Sequence, residues 1–138
     1  MITNLREQLF RDEGVRLKPY KDRSGKLTIG VGRNLDDVGI SMTEADLLLD
    51  NDITRAAAAV MAHIPFAAGL GEVRFGVLVN MAYNLGIGGL LKFTQFLADV
   101  ERGDFAVAAV EMLNSKWAQQ VGARAERLAR QMDTNQWQ

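Results

Sequence analysis

A chain of 138 residues, 48% hydrophobic and 24% charged, is long enough for one domain with its own core and too apolar for a disordered segment. The absence of cysteine and the single histidine, His63, exclude disulfides, thiolate catalysis and an ordinary zinc site. A net charge of −1, a polar opening MITNLREQLF and no run of roughly 20 apolar residues argue against a nucleic-acid binder, an export signal and stable membrane insertion.

In chain order, Ile2, Leu5, Leu9 and Phe10 recur at helical spacing, with Thr3 or Asn4 as cap and Gly14 as stop, which predicts a first helix ending at Glu13. The carboxyl end of a helix is electrically negative and favours a neutral acid there. Beyond Val15 the period changes and Pro19 forbids a continuing helix. Strands follow, turned at Asp22-Arg23-Ser24-Gly25, with Leu27, Ile29 and Val31 expected on a buried face and Thr28 on the opposite, ligand-facing one. Gly32 to Gly39 reads as a polar loop.

Ser41-Met42-Thr43-Glu44 has the form of a capping box and opens a long helix whose apolar stripe runs from Ala45 through Leu48, Leu49, Ile53 and Val60 to Ile64, before Pro65. Residues 73–85 are apolar on most sides and predict a buried helix, ended by glycines 86, 88 and 89. Helical spacing resumes over 90–100 and 105–113, and two shorter helices are expected around Trp117 and over 123–132. Trp117 and Phe93 read as core, and His63 as a helix-end residue.

The stretch from Glu13 to Thr28 carries the chemistry. An acid at a helix end and another at a turn, with a hydroxyl beyond, are the groups needed to protonate a glycosidic oxygen and direct a water. Spacing alone leaves the plainer alternative of a solvated helix end and an ordinary turn. The wider sequence adds weight: EGVRLKPYKDRSGKLTIGVGRNL, Asn80-Met81-Ala82-Tyr83-Asn84-Leu85-Gly86, and Ser115-Lys116-Trp117 with Gln120 and Arg124 together resemble the phage-type lysozymes of the T4 lysozyme family, glycoside hydrolase family 24, over nearly the whole chain.

The resemblance implies a mainly helical α+β, lysozyme-like fold forming a single domain over 1–138. A small β-hairpin lobe, about 14–40, would be joined by a long helix to a larger helical lobe, residues 1–13 and 41–138. It implies hydrolysis of the β-1,4 bond between N-acetylmuramic acid and N-acetylglucosamine in bacterial peptidoglycan by a monomer without cofactor or metal. The family's catalytic trio falls on Glu13, Asp22 and Thr28, with Glu13 as general acid and Asp22 and Thr28 positioning water. Inversion requires carboxyl groups about 6.5–9.5 Å apart. Asn34, Tyr83 and Asn84 are the implied substrate contacts, and Arg124 the cation that modulates Glu13. Arg33 stands where the family often has histidine, and the loop from Asn34 to Gly39 is shortened. For a phage-derived chain without a signal peptide, the expected location is the host cytoplasm until release to the wall. The competing readings are a catalytically weak peptidoglycan-binding protein and a cationic membrane-active protein; two intact acids oppose the first and the net charge the second.

Overall fold

The computed structural model describes residues 2–138, with the Ile2 side chain outside the described residues. It has an α+β architecture: α1 (Ile2–Glu13), three antiparallel strands β1 (Arg16–Lys21), β2 (Leu27–Gly30) and β3 (Arg33–Asn34), then α2 (Met42–His63), a 3-10 turn (Pro65–Gly69), α3 (Glu72–Leu91), α4 (Thr94–Arg102), α5 (Phe105–Leu113), α6 (Lys116–Val121) and α7 (Ala123–Thr134). The chain divides into two compact units, residues 1–48 and 49–138, with the boundary inside α2.

In the first unit α1 ends at Glu13 as expected, and Gly14 at φ 71° returns its N–H to the Phe10 carbonyl at 2.9 Å. Thr3 and Asn4 lie inside the helix, so neither is its cap. The sheet runs in the order β1-β2-β3, with Tyr20 opposite Thr28 and Lys21 opposite Leu27. A register shift between Arg16 and Tyr20 interrupts the pairing.

Two expectations fail here. The anticipated polar loop after Gly32 contains β3, which pairs Asn34 with Thr28 and Arg33 with Ile29. The expected burial along β2 does not hold: Leu27 is 37% exposed, Thr28 only 3%, and Ile29 and Gly30 are both half-buried. A period of two fixes which residues share a face, but not which face is covered.

The capping box forms in full. Glu44 N–H donates to Ser41 Oγ at 3.1 Å and Ser41 N–H to Glu44 Oε1 at 3.0 Å, so the first turn of α2 has two of its orphan donors met. The α2 stripe is buried only at its far end, at Val60, followed by Ile64 just beyond the helix; Leu48, Leu49 and Ile53 are exposed. Periodicity dictates an amphipathic helix without specifying what covers its apolar side.

The second unit is a helical cluster around Leu78, Met81, Leu90, Phe96, Met112 and Met132, all essentially inaccessible. α5 packs on α4 and α7, and α3 on α7. Phe93 meets both Phe96 and Trp117 edge-on at about 6 Å; of the two aromatics read as core, Trp117 belongs to it and half-buried Phe93 packs against it. Arg74 of α3 lies 3.6 Å over the Phe105 ring and donates to the carbonyls of Met132 and Asp133, giving the end of α7 a cationic cap.

Gly86 ends the first helical stretch of α3 as expected, adopting the non-helical φ 75°, ψ 159°; a second short stretch, which takes in glycines 88 and 89, then runs to Leu91. α4 accordingly starts at Thr94 rather than at residue 90. His63 closes α2, exposed, with its Nδ1 3.0 Å from the Ala59 carbonyl.

Candidate active site

Within the first unit, three of the sequence-predicted residues sit on one short piece of chain. Asp22 opens the β1-β2 turn: its Oδ1 accepts from Ser24 N–H at 2.8 Å and Lys26 N–H at 2.9 Å, and Gly25, at φ 79°, donates to its carbonyl. Both side-chain bonds fall on Oδ1, leaving Oδ2 without a protein donor among the described residues.

The Lys26 carbonyl then receives two donors, Asp22 N–H at 2.9 Å and the Thr28 hydroxyl at 2.9 Å. One peptide group thus fixes Asp22 and Thr28 relative to each other. Thr28 spends its only proton on that bond, so toward any further group its oxygen can only accept. Nothing in the sequence marks Lys26 for this task, because its backbone does the work.

Glu13 lies at the end of α1 with its carboxyl group against Gly32: a methyl group there would stand 3.0 Å from Glu13 Oε2. Gly32 has φ 71°, so it is glycine for two reasons, backbone conformation and the close approach of the acid. The next residue, Arg33, donates to both oxygens of Glu44, at 3.0 and 2.8 Å, and to the Gly39 carbonyl at 3.1 Å. The hydrogen bonds of Ser41 first, and then the Arg33 guanidinium, hold Glu44 below the usual glutamate range.

The Asn34–Gly39 segment braces the hairpin. Asn34 donates to Asp37 at 2.9 Å and accepts from its N–H, Asp36 accepts from Leu27 N–H at 2.7 Å, and Asp37 pairs with Lys26 at 3.1 Å. The Asn34 amide is therefore engaged with its own loop.

The remaining predicted residues belong to the second unit. Tyr83 is 47% exposed and lines an open groove of about 430 Å³ with Asp52, Arg55, Ala56, Ala59 and Gly86. Asn84 accepts from the indole N–H of buried Trp117 at 2.7 Å. Arg124 is gripped by Asn80, whose Oδ1 accepts from Nε at 3.0 Å and Nη2 at 2.7 Å. Sequence reading took Asn84 for a sugar contact and assigned no role to Asn80; the indole and guanidinium partners come from helices distant in sequence. Among the described residues no cluster of His, Cys, Asp and Glu could hold a metal ion, and no helix is long and apolar enough to cross a membrane.

The phage lysozyme family matches residues 11–133, and the chain belongs to that family. Relatives include a probable T4-type lysozyme of Dictyostelium discoideum, 26% identical over 97% of this chain and 96% of its own length. An endolysin of Acyrthosiphon pisum secondary endosymbiont phage 1 is 30% identical over 78% of this chain and 73% of its own. The pre-baseplate central spike protein of Enterobacteria phage T4 is 30% identical over 91% of this chain, though only 27% of that longer protein is matched. The chain is thus a glycoside hydrolase of the lysozyme type, an enzyme of peptidoglycan, with the lysozyme-like α+β fold.

Proposed function

We propose that residues 1–138 act as a single catalytic domain, a monomeric endolysin that cuts the β-1,4 bond between N-acetylmuramic acid and N-acetylglucosamine with inversion at the anomeric carbon, without cofactor. Glu13 gives its proton to the glycosidic oxygen as the bond from the anomeric carbon breaks. A water attacks the opposite side of that carbon and hands its proton to Asp22.

The observation that carries this reading is the Lys26 carbonyl shared by Asp22 and Thr28. With the Thr28 proton committed and Asp22 Oδ2 open, both groups act as acceptors. A water donating to both turns its lone pair outward, which is the orientation attack requires. Tyr83 supplies an aromatic face for a sugar ring, Asn84 and Asn34 contribute through the amide atoms not engaged internally, and Arg124, preorganised by Asn80, contributes a fixed cation. The last three roles rest on the family resemblance. A phage-derived protein of this kind would accumulate in the host cytoplasm and reach the wall on release.

Glu13→Gln tests the assignment. Turnover on purified peptidoglycan, read as released reducing ends, should fall by at least about a hundredfold, the size of a general-acid contribution, with the melting temperature nearly unchanged. Turbidity loss without new reducing ends would replace glycan cleavage with membrane or wall disruption. A first product retaining the β-anomer would remove Asp22 and Thr28 from water positioning.

A further inference from the structure

The charge of this chain is concentrated. Residues 15–34 carry six cations, Arg16, Lys18, Lys21, Arg23, Lys26 and Arg33, against one acid, Asp22, a surplus of five; since the whole chain is −1, the remainder is net −6. Two of the six are neutralised in place, Lys26 by Asp37 and Arg33 by Glu44. Arg16, Lys18, Lys21 and Arg23 are exposed and make no ion pair among the described residues. The Arg16 guanidinium is held 4.3 Å over the Tyr20 ring, which orders it without discharging it.

Four cations in eight residues, none held in an ion pair among the described residues, repel one another, although residues 1–48 as a whole carry as many acids as cations. Their strand and turn also bear Asp22 and lead to Thr28, the groups assigned above to the attacking water. We propose that Arg16, Lys18, Lys21 and Arg23 form a docking surface for the carboxylates of the peptidoglycan stem peptide. This deepens the reading of Glu13, Asp22 and Thr28 as the glycan-cleaving site and rests on it.

The stem peptide hangs from the muramic acid, one of the two sugars flanking the bond to be cut, so its carboxylates have a set position relative to a water held at Asp22. Phosphate polymers of an envelope have no such fixed relation to the scissile bond. Dimensions agree as well: Arg16 to Lys21 spans at most about 16 Å of strand, and an extended stem of four or five residues reaches about 13–18 Å. The surface therefore favours cross-linked or uncross-linked wall over bare glycan, and its contribution falls with salt.

The test is co-sedimentation of the Glu13→Gln chain with purified sacculi free of teichoic acid and lipid, alongside the same sacculi with their stem carboxylates converted to neutral amides. Adding Arg16→Gln, Lys18→Gln, Lys21→Gln and Arg23→Gln together should weaken binding to untreated sacculi at low salt by about tenfold or more, with no change on amidated sacculi. A salt titration of the chain with its cations intact gives the same answer without those substitutions: affinity should fall steeply with salt on untreated sacculi and stay nearly flat on amidated ones. Arg16→Lys with Arg23→Lys, which keeps the charge, should retain binding. Equal binding with and without the cations, or an equal loss on amidated sacculi, would overturn the proposal. Binding that depends on teichoic-acid phosphate and not on stems would overturn it in favour of a different partner. Failure of the wild-type chain to release reducing ends would sink the hydrolase reading and leave the binding result standing by itself.

Discussion

Every buried hydrophobic side chain of the described residues lies between Val60 and Met132, in the second unit, whereas the first unit buries one side chain, the polar Thr28. The second unit is held by packing: aromatic edges, methionines and leucines exclude water around α3, α4, α5 and α7. The first is held by directed bonds, among them the Asp22 turn, the Ser41–Glu44 box and the Arg33–Glu44 pair. Directional bonds fix the orientation of individual atoms, which packing alone does less sharply, and the residues proposed for proton transfer and water activation are on the hydrogen-bonded unit. A small unit with little core is marginal by burial, so each of those bonds is a larger share of what orders it.

The contrast can be broken most forcefully in the packed unit. Phe96, 1% exposed, should on replacement by Ala cost about 3–5 kcal/mol in chemical denaturation. A cost below about 1 kcal/mol would deny that packing holds these helices. Next comes Asn84→Ala, which leaves the buried Trp117 N–H unmatched and should cost about 1–3 kcal/mol. Lost sugar affinity at unchanged stability would instead return Asn84 to the role of a simple substrate contact.

In the hydrogen-bonded unit, Gly32→Ala should cost about 1–2 kcal/mol from its positive φ, with a further loss of turnover as the methyl group pushes on the Glu13 carboxyl. Unaltered kcat would show that the contact does not position the acid. The smallest effect is a pH dependence. Because Glu44 is held below its ordinary range, its stabilisation is present above the unfolded-state value and is lost as pH falls through the lowered folded one. Glu44→Gln should therefore make melting temperature fall less steeply on acidification; parallel curves would mean that the box and the Arg33 pair contribute nothing measurable.

Much of this was legible from residue order. The end of α1 at Glu13, the Asp22 turn, the capping box and the limits of α5 follow from local chemistry, which acts over a few residues. What escaped depended on neighbours distant in sequence. The exposure of Leu27 and burial of Thr28 depend on which sheet face is covered, and the bonds from Asn80 to Arg124 and from Asn84 to Trp117 join helices far apart in the chain. Gly86 does end a helix, but glycines 88 and 89 lie inside the short helical stretch that follows, where burial at Leu90 outweighs glycine's preference against helix.

The break at Gly86 has a consequence for how this chain tolerates change. In an unbroken helix, inserting one residue rotates everything downstream by about 100° and turns the buried stripe toward water. With the backbone at φ 75°, ψ 159° between them, the stripe of Val77, Leu78, Met81 and Ala82 and the anchor at Leu90 are phased independently. Length variation at residues 86–89 can then be absorbed as a change of angle at the joint, leaving the Tyr83 side of the helix in register with its core.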